Sequence, residues 1–133
     1  MATVVVDTSV LIALSRRHFD PSSVFRSDDK VILPTVAYAE YMTGVSTAST
    51  TALRDERLEF MKVFRKICDL VDFGEREALQ FANLIVHCKT SGTPRGPIDL
   101  QIAAHALAAS AEIVSLDKRA YFEKLPGVKV RQI

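Results

Sequence analysis

Apolar positions along the chain switch between short continuous runs and helical spacing. Thr3 to Val6 is β-branched and apolar and stops at Asp7, and Ser9 to Leu14 follows with a length and composition suited to a helix. The chain therefore opens as a buried strand feeding a helix. Pro21, Ser22 and Ser23 can open a short helix, Val31-Ile32-Leu33 reads as a second strand stopped by Pro34, and Thr35 caps a helix carrying Val36, Ala37, Ala39, Glu40 and Tyr41. The polar stretch Thr43 to Thr51 breaks the pattern. Leu53, Phe60, Met61, Phe64 and Ile67 then recur at helical spacing, with charged residues from Arg54 to Lys66 on the other faces. Leu70 to Phe73 reads as a third strand, and a helix starts near Gly74 and runs through Val86. Two glycines and two prolines make Thr90 to Pro97 a loop. Ile98 to Ala111 is apolar almost throughout, which predicts a helix buried on most of its surface. Glu112 to Leu116 is a fourth strand ended by Asp117; a helical turn with Tyr121 and Phe122 and a last strand, Val128 to Val130, close the chain. Strands alternating with helices predict an α/β fold with a central parallel β-sheet flanked by α-helices on both faces.

A length of 133 residues with 48% hydrophobic composition suits one domain, residues 1–133. No apolar run approaches the roughly 20 residues that span a bilayer, and Met1 to Val6 lacks the basic segment of a signal peptide, so the expected location is cytoplasmic, away from membranes. Cys68 and Cys88, twenty positions apart in segments read as helical or a helix end, are expected to be buried, reduced thiols. Seventeen basic against sixteen acidic residues leave a net charge of +1, so any nucleic-acid binding must be local. His18, His87 and His105 form no metal-ligand or triad spacing and read as surface or helix-face residues.

Four carboxylates stand where an open α/β sheet places its ligands, beyond the carboxyl ends of the strands. Asp7 and Asp117 each follow a predicted strand, Asp99 lies in the first turn of the most apolar helix, and Glu40 lies in the helix after the second strand. Each has an ordinary alternative. Asp7 can cap a helix, Asp99 can satisfy a helix dipole, Glu40 can be solvated, and Asp117 can sit in a surface turn. Together they point further, because two carboxylates about 4 Å apart repel by about 4 kcal/mol at an effective dielectric of 20. A cluster of four needs protonation or a cation, and an all-oxygen donor set selects magnesium or manganese.

These residues carry a resemblance. Val4-Val5-Val6-Asp7-Thr8-Ser9-Val10-Leu11-Ile12, Pro34-Thr35-Val36-Ala37-Tyr38-Ala39-Glu40, Pro97-Ile98-Asp99-Leu100-Gln101-Ile102-Ala103-Ala104-His105-Ala106, and Ser115-Leu116-Asp117 with the closing Leu125-Pro126-Gly127-Val128 resemble, in order and across the whole chain, the PIN-domain ribonucleases and their VapC-type toxins. Tyr41 and Met42 depart from the pattern, in which an aliphatic residue commonly follows the glutamate. The resemblance implies a PIN-like fold and hydrolysis of RNA to 5′-phosphate and 3′-hydroxyl ends. It implies Mg2+ or Mn2+ held by Asp7, Asp99 and Asp117, with Glu40 completing the ring or orienting the attacking water. Thr8 or Ser9, with Ser115, would fix the carboxylates by hydrogen bonds. Arg95 reads either as a phosphate contact or as a solvated loop arginine. The implied partners are an RNA substrate, a VapB-type antitoxin protein and a second copy in a homodimer, the antitoxin packing over the active-site groove, to which the helix around Leu53 to Ile67 can contribute. The alternatives are a housekeeping PIN-domain RNA-processing nuclease and a non-catalytic PIN-like module. A phosphatase with Asp7 as nucleophile would need a second acid where Ser9 stands, and a phospho-receiver would need an acid pair near the N-terminus.

Overall fold

Val4, Val5 and Val6 have no solvent exposure, as a strand covered on both faces requires. In the computed structural model, which describes residues 1–133, they form β1 (Thr3–Val6) at the centre of a five-stranded sheet. The other strands are β2 (Lys30–Pro34), β3 (Cys68–Val71), β4 (Glu112–Val114) and β5 (Lys129–Val130). Their order is β3-β2-β1-β4-β5 and every neighbouring pair is parallel. The helices are α1 (Thr8–Ser15), α2 (Thr35–Ser46), α3 (Thr51–Phe64), α4 (Glu75–Ser91) and α5 (Pro97–Ala109). The right-handed rule for parallel crossovers, applied to this strand order, puts α1 to α3 on one face and α4 and α5 on the other. Contacts among α1, α2 and α3, and between α4 and α5, follow that division, and α2 also meets α5.

The chain leaves β1 toward β2 on one side and comes back to β4 on the other, so the strand order reverses between β1 and β4. Crevices at such a reversal, beyond the carboxyl ends of the strands, are where open α/β sheets bind ligands. No helix is long and apolar enough to cross a membrane.

Several local expectations give way to competing interactions. Pro34, not Thr35, is the N-cap of α2, and the Thr35 hydroxyl donates across to the Val71 carbonyl at 3.5 Å. The polar break is shorter than composition suggests: α2 continues to Ser46, and Thr50 caps α3 by accepting from the Leu53 amide at 3.1 Å. Of the amphipathic stripe, Met61 and Phe64 are buried, whereas Leu53 is exposed and Ile67 lies beyond the helix. Strand β3 begins at Cys68 and ends at Val71, so Cys68 is a half-buried edge-strand residue; Cys88, in α4, is buried, and both thiols are free. His105 is fully enclosed in α5 against the edge of Phe73, and burial pushes its pKa down, leaving it neutral. The turn into β5 needs its glycine: Gly127 has φ +78°, and the Val128 amide closes it by donating to the Leu125 carbonyl at 3.2 Å.

The C-terminal residues are held by a clamp that spans distant parts of the chain. Arg131, itself buried, donates from Nε to Glu112 Oε2 at 3.0 Å and forms a two-pronged pair with both carboxylate oxygens of Asp29. The Arg131 guanidinium holds the Asp29 carboxyl below the usual carboxylate range.

Candidate active site

Strand β1 delivers Asp7 to the reversal point, and the Asp7 amide extends the ladder by donating to the Val114 carbonyl at 3.0 Å. Its side chain does not cap α1. Instead Oδ2 accepts from the Ser9 hydroxyl at 2.9 Å and from the Ser115 hydroxyl at 2.8 Å. Those hydroxyls accept in turn from the amides of Leu116 (2.9 Å) and Asp117 (3.0 Å). Each serine thus spends its only proton on Asp7, which fixes the carboxylate as an acceptor and ties the ends of β1 and β4 together. Asp7 Oδ1 has no donor, although the residue is only 5% exposed.

Thr8 does the same for Glu40, its hydroxyl donating to Oε1 at 2.6 Å and leaving Oε2 free. Asp99, in the first turn of α5, makes no capping bond. Its carboxyl is pushed up to about 6 by burial first, then by the charges of Asp7, Asp117 and Glu40, against the opposing pull of Arg95. A first-turn acid normally gains about 0.3–1 kcal/mol from the helix dipole; burial and three negative neighbours outweigh it here. Asp117 is the outlier. Strand β4 ends at Val114, three residues earlier than Asp117, which is exposed and uses Oδ1 to cap a short 3-10 turn through the Arg119 amide at 3.0 Å. Its ordinary capping role and its place beside Asp99 are both present.

The structure therefore brings Asp7, Glu40, Asp99 and Asp117 into one electrostatic neighbourhood, with Thr8, Ser9 and Ser115 as their supports. No three acid, histidine or cysteine side chains already form a ligand cage, so seating one ion would require some carboxylates to rotate inward. The donor set nonetheless fits a hard divalent cation: each of the four acids keeps at least one oxygen without a hydrogen-bond donor, and their charge is poorly compensated. Arg95 is half-buried rather than freely solvated. Its Nε is enclosed without a partner and its guanidinium lies 5.8 Å from the ring centre of Tyr121. A cleft of about 380 Å³ behind this loop, lined by Phe81, Ile85, Cys88 and Leu100 among others, contains no carboxylate, so the acid chemistry lies outside it.

Because the folded chain holds the Asp99 proton more tightly than the unfolded chain does, ionising Asp99 costs stability. That cost is absent below about pH 4, the ordinary carboxylate value, and complete above about 6. With EDTA present, Asp99→Asn should melt higher than the parent at pH 7.5, by the few degrees that about 1 kcal/mol gives after solvent screening. The difference should close toward pH 4, and a variant that melts lower at pH 7.5 would contradict the cost of ionising Asp99, set by burial first and by repulsion second.

The family model for the PIN domain matches residues 4–128. Ribonuclease VapC of Rickettsia bellii (strain RML369-C) is 28% identical over 126 residues, covering 95% of this chain and 92% of the relative. Ribonuclease VapC5 of Mycobacterium tuberculosis (strain ATCC 25618 / H37Rv) is 32% identical over 114 residues, covering 85% of this chain and 82% of the relative. Among solved structures, VapBC-5 of Mycobacterium tuberculosis, a member of the VapBC family of toxin-antitoxin systems, superposes with a TM-score of 0.81 at 28% identity and covers all of both chains.

Proposed function

The chain belongs to the PIN domain family, and from that premise we propose that it is an endoribonuclease that hydrolyses RNA with Mg2+ or Mn2+, and the toxin of a VapBC-type toxin–antitoxin pair. The observation that carries the reading is the convergence of four acids from separate elements: Asp99 is pushed up to about 6, by burial first and then by Asp7, Asp117 and Glu40, with only Arg95 to offset them. Carboxylates in ordinary structural roles are not gathered against one another at this cost.

Asp7 through Oδ1, Asp99, and Asp117 through Oδ2 would hold the cation, and Glu40 would complete the ring or orient the attacking water. When bound, the cation supplies charge compensation, a more acidic water and stabilisation of charge on the phosphoryl group. The chain's other side chains prepare that site. Ser9 and Ser115 present Asp7 in one orientation, Thr8 does so for Glu40, and Arg95 would contact a substrate phosphate. By likeness to the ribonucleases and to the toxin–antitoxin structure above, the proposed partners are RNA and a VapB-type antitoxin; a homodimer is proposed as well, on the sequence resemblance alone.

Incubation with RNA tests the reading. Cleavage should require manganese or magnesium, stop with EDTA and return when manganese is added in excess. Cleavage that survives EDTA overturns the metal's role, and intact RNA in the presence of manganese overturns the nuclease.

A further inference from the structure

A centre built from four acids repels the phosphate chain it must receive, and a net charge of +1 offers no general attraction. Positive charge must therefore be concentrated beside it. One place where two cations gather is Tyr121. Lys124 Nζ stands 4.5 Å from the centre of that ring and the Arg95 guanidinium 5.8 Å. Asp117 caps the turn that ends at Tyr121, so the ring adjoins the acidic site.

The backbone presents this ring outward. Tyr121 has φ +48° and ψ +44°, a left-handed conformation uncommon for an aromatic residue. It joins the 3-10 turn Lys118–Ala120, capped by Asp117, to the 3-10 turn Phe122–Lys124. Its neighbours Ala120 and Phe122 are buried to within 2% exposure, pinning the chain on both sides, while Tyr121 is 45% exposed. A tyrosine recruited for the core would not be turned out between two anchored residues. Arg17 and Ser110 also have positive φ, but of the three only Tyr121 is aromatic and has cations over its side chain.

We propose that Tyr121 is a stacking platform for a nucleobase of single-stranded RNA next to the cleaved phosphate, with Lys124 and Arg95 taking the flanking phosphates. The assignment rests on the nuclease reading above and extends it to the substrate's conformation. An exposed aromatic ring with cations held over it is a combination suited to unpaired nucleotides. A base arriving on the ring displaces the Lys124 ammonium, whose flexible stem lets it swing to the neighbouring phosphate.

The test is the binding of a fluorescently labelled single-stranded RNA of mixed sequence, followed by anisotropy in EDTA over a range of salt. Tyr121→Asn removes the ring with a residue that accepts the left-handed backbone. It should weaken binding by about tenfold or more and leave the slope of log K against log salt unchanged, whereas Tyr121→Trp should bind close to the parent. Lys124→Ala should lower that slope by about 0.7. Parent-like affinity in Tyr121→Asn overturns the platform. So does a loss of slope equal to that of Lys124→Ala, which would make the ring a mere support for the lysine. Should Tyr121→Asn fail to melt like the parent, Tyr121→Trp and Lys124→Ala still decide: loss of binding in the first or an unchanged slope in the second overturns the proposal. Cleavage by the parent in manganese is read separately, so an inactive parent that stacks RNA counts against the nuclease reading alone.

Discussion

Asp7→Asn is expected to lower RNA cleavage at least about a hundredfold, a loss of about 2.7 kcal/mol of transition-state stabilisation. The substitution keeps the shape of the side chain, and the amide oxygen can still accept from Ser9 and Ser115, so the fold should survive it. What disappears is the charge at the atom left free of hydrogen bonds. Ser115→Ala should have a smaller effect, about tenfold, because it removes one of the two donors that orient Asp7 and leaves its charge in place. The pair is read by initial rates in manganese on one RNA. A parent-like rate in Asp7→Asn would remove Asp7 from the site, and a larger loss in Ser115→Ala than in Asp7→Asn would invert their assigned roles.

The largest loss of stability is expected from Arg131→Ala. The Asp29 side chain has no solvent exposure in the clamp, so removing the guanidinium leaves a buried carboxylate with the Arg26 amide as its one remaining donor. Breaking one member of such a pair costs about 3–5 kcal/mol, which for a domain of this size lowers Tm by roughly 10–20 °C. The pH dependence follows from the lowered pKa of Asp29. The clamp's contribution is complete above the ordinary carboxylate range and is lost as pH falls through the lower folded value. The gap between parent and variant should therefore narrow in acid, where the stranded Asp29 takes up a proton. Urea unfolding at pH 7 and pH 4 measures both effects. A loss below about 1 kcal/mol at pH 7 would place the clamp among solvent-screened surface pairs.

The parts of this fold that were legible in the sequence are those set by local period and by residues next to strand ends. Val4-Val5-Val6 before Asp7 announces a buried strand and a carboxylate at its tip, and the apolar run after Pro97 announces α5 with Asp99 in its first turn. The parallel sheet follows from the alternation itself. What sequence could not show depends on partners far along the chain. Arg131 finds Asp29 102 residues away, and no spacing rule connects them. His105 lies on a helix whose buried faces are set by how α5 seats on the sheet, and Cys68 joins a strand through pairing with β2. Thr35 had the right type for a cap, but a carbonyl on β3 competed for its hydroxyl. Tyr121 was visible as a residue in a helical turn. Its outward ring depends on a positive φ between two buried neighbours, and neither the order Ala-Tyr-Phe nor its hydropathy signals that.

The site showed the same division. Two serines and a threonine near the acids could be named as supports, yet only the structure assigns Ser9 and Ser115 to Asp7 and Thr8 to Glu40. The distance of Asp117 from the end of β4 was underestimated, because Ser115 and Leu116 leave the strand to serve the hydroxyl chain.

If these carboxylates bind a divalent cation, thermal melts of the parent and Asp99→Asn, each with EDTA or with manganese, reveal it without needing the RNA target. At a hundred times its dissociation constant, an ion that binds only the folded chain adds about 2.7 kcal/mol. Manganese should thus raise the parent's Tm by several degrees and raise that of Asp99→Asn much less. Equal gains in the two proteins, or none in the parent, would contradict the account.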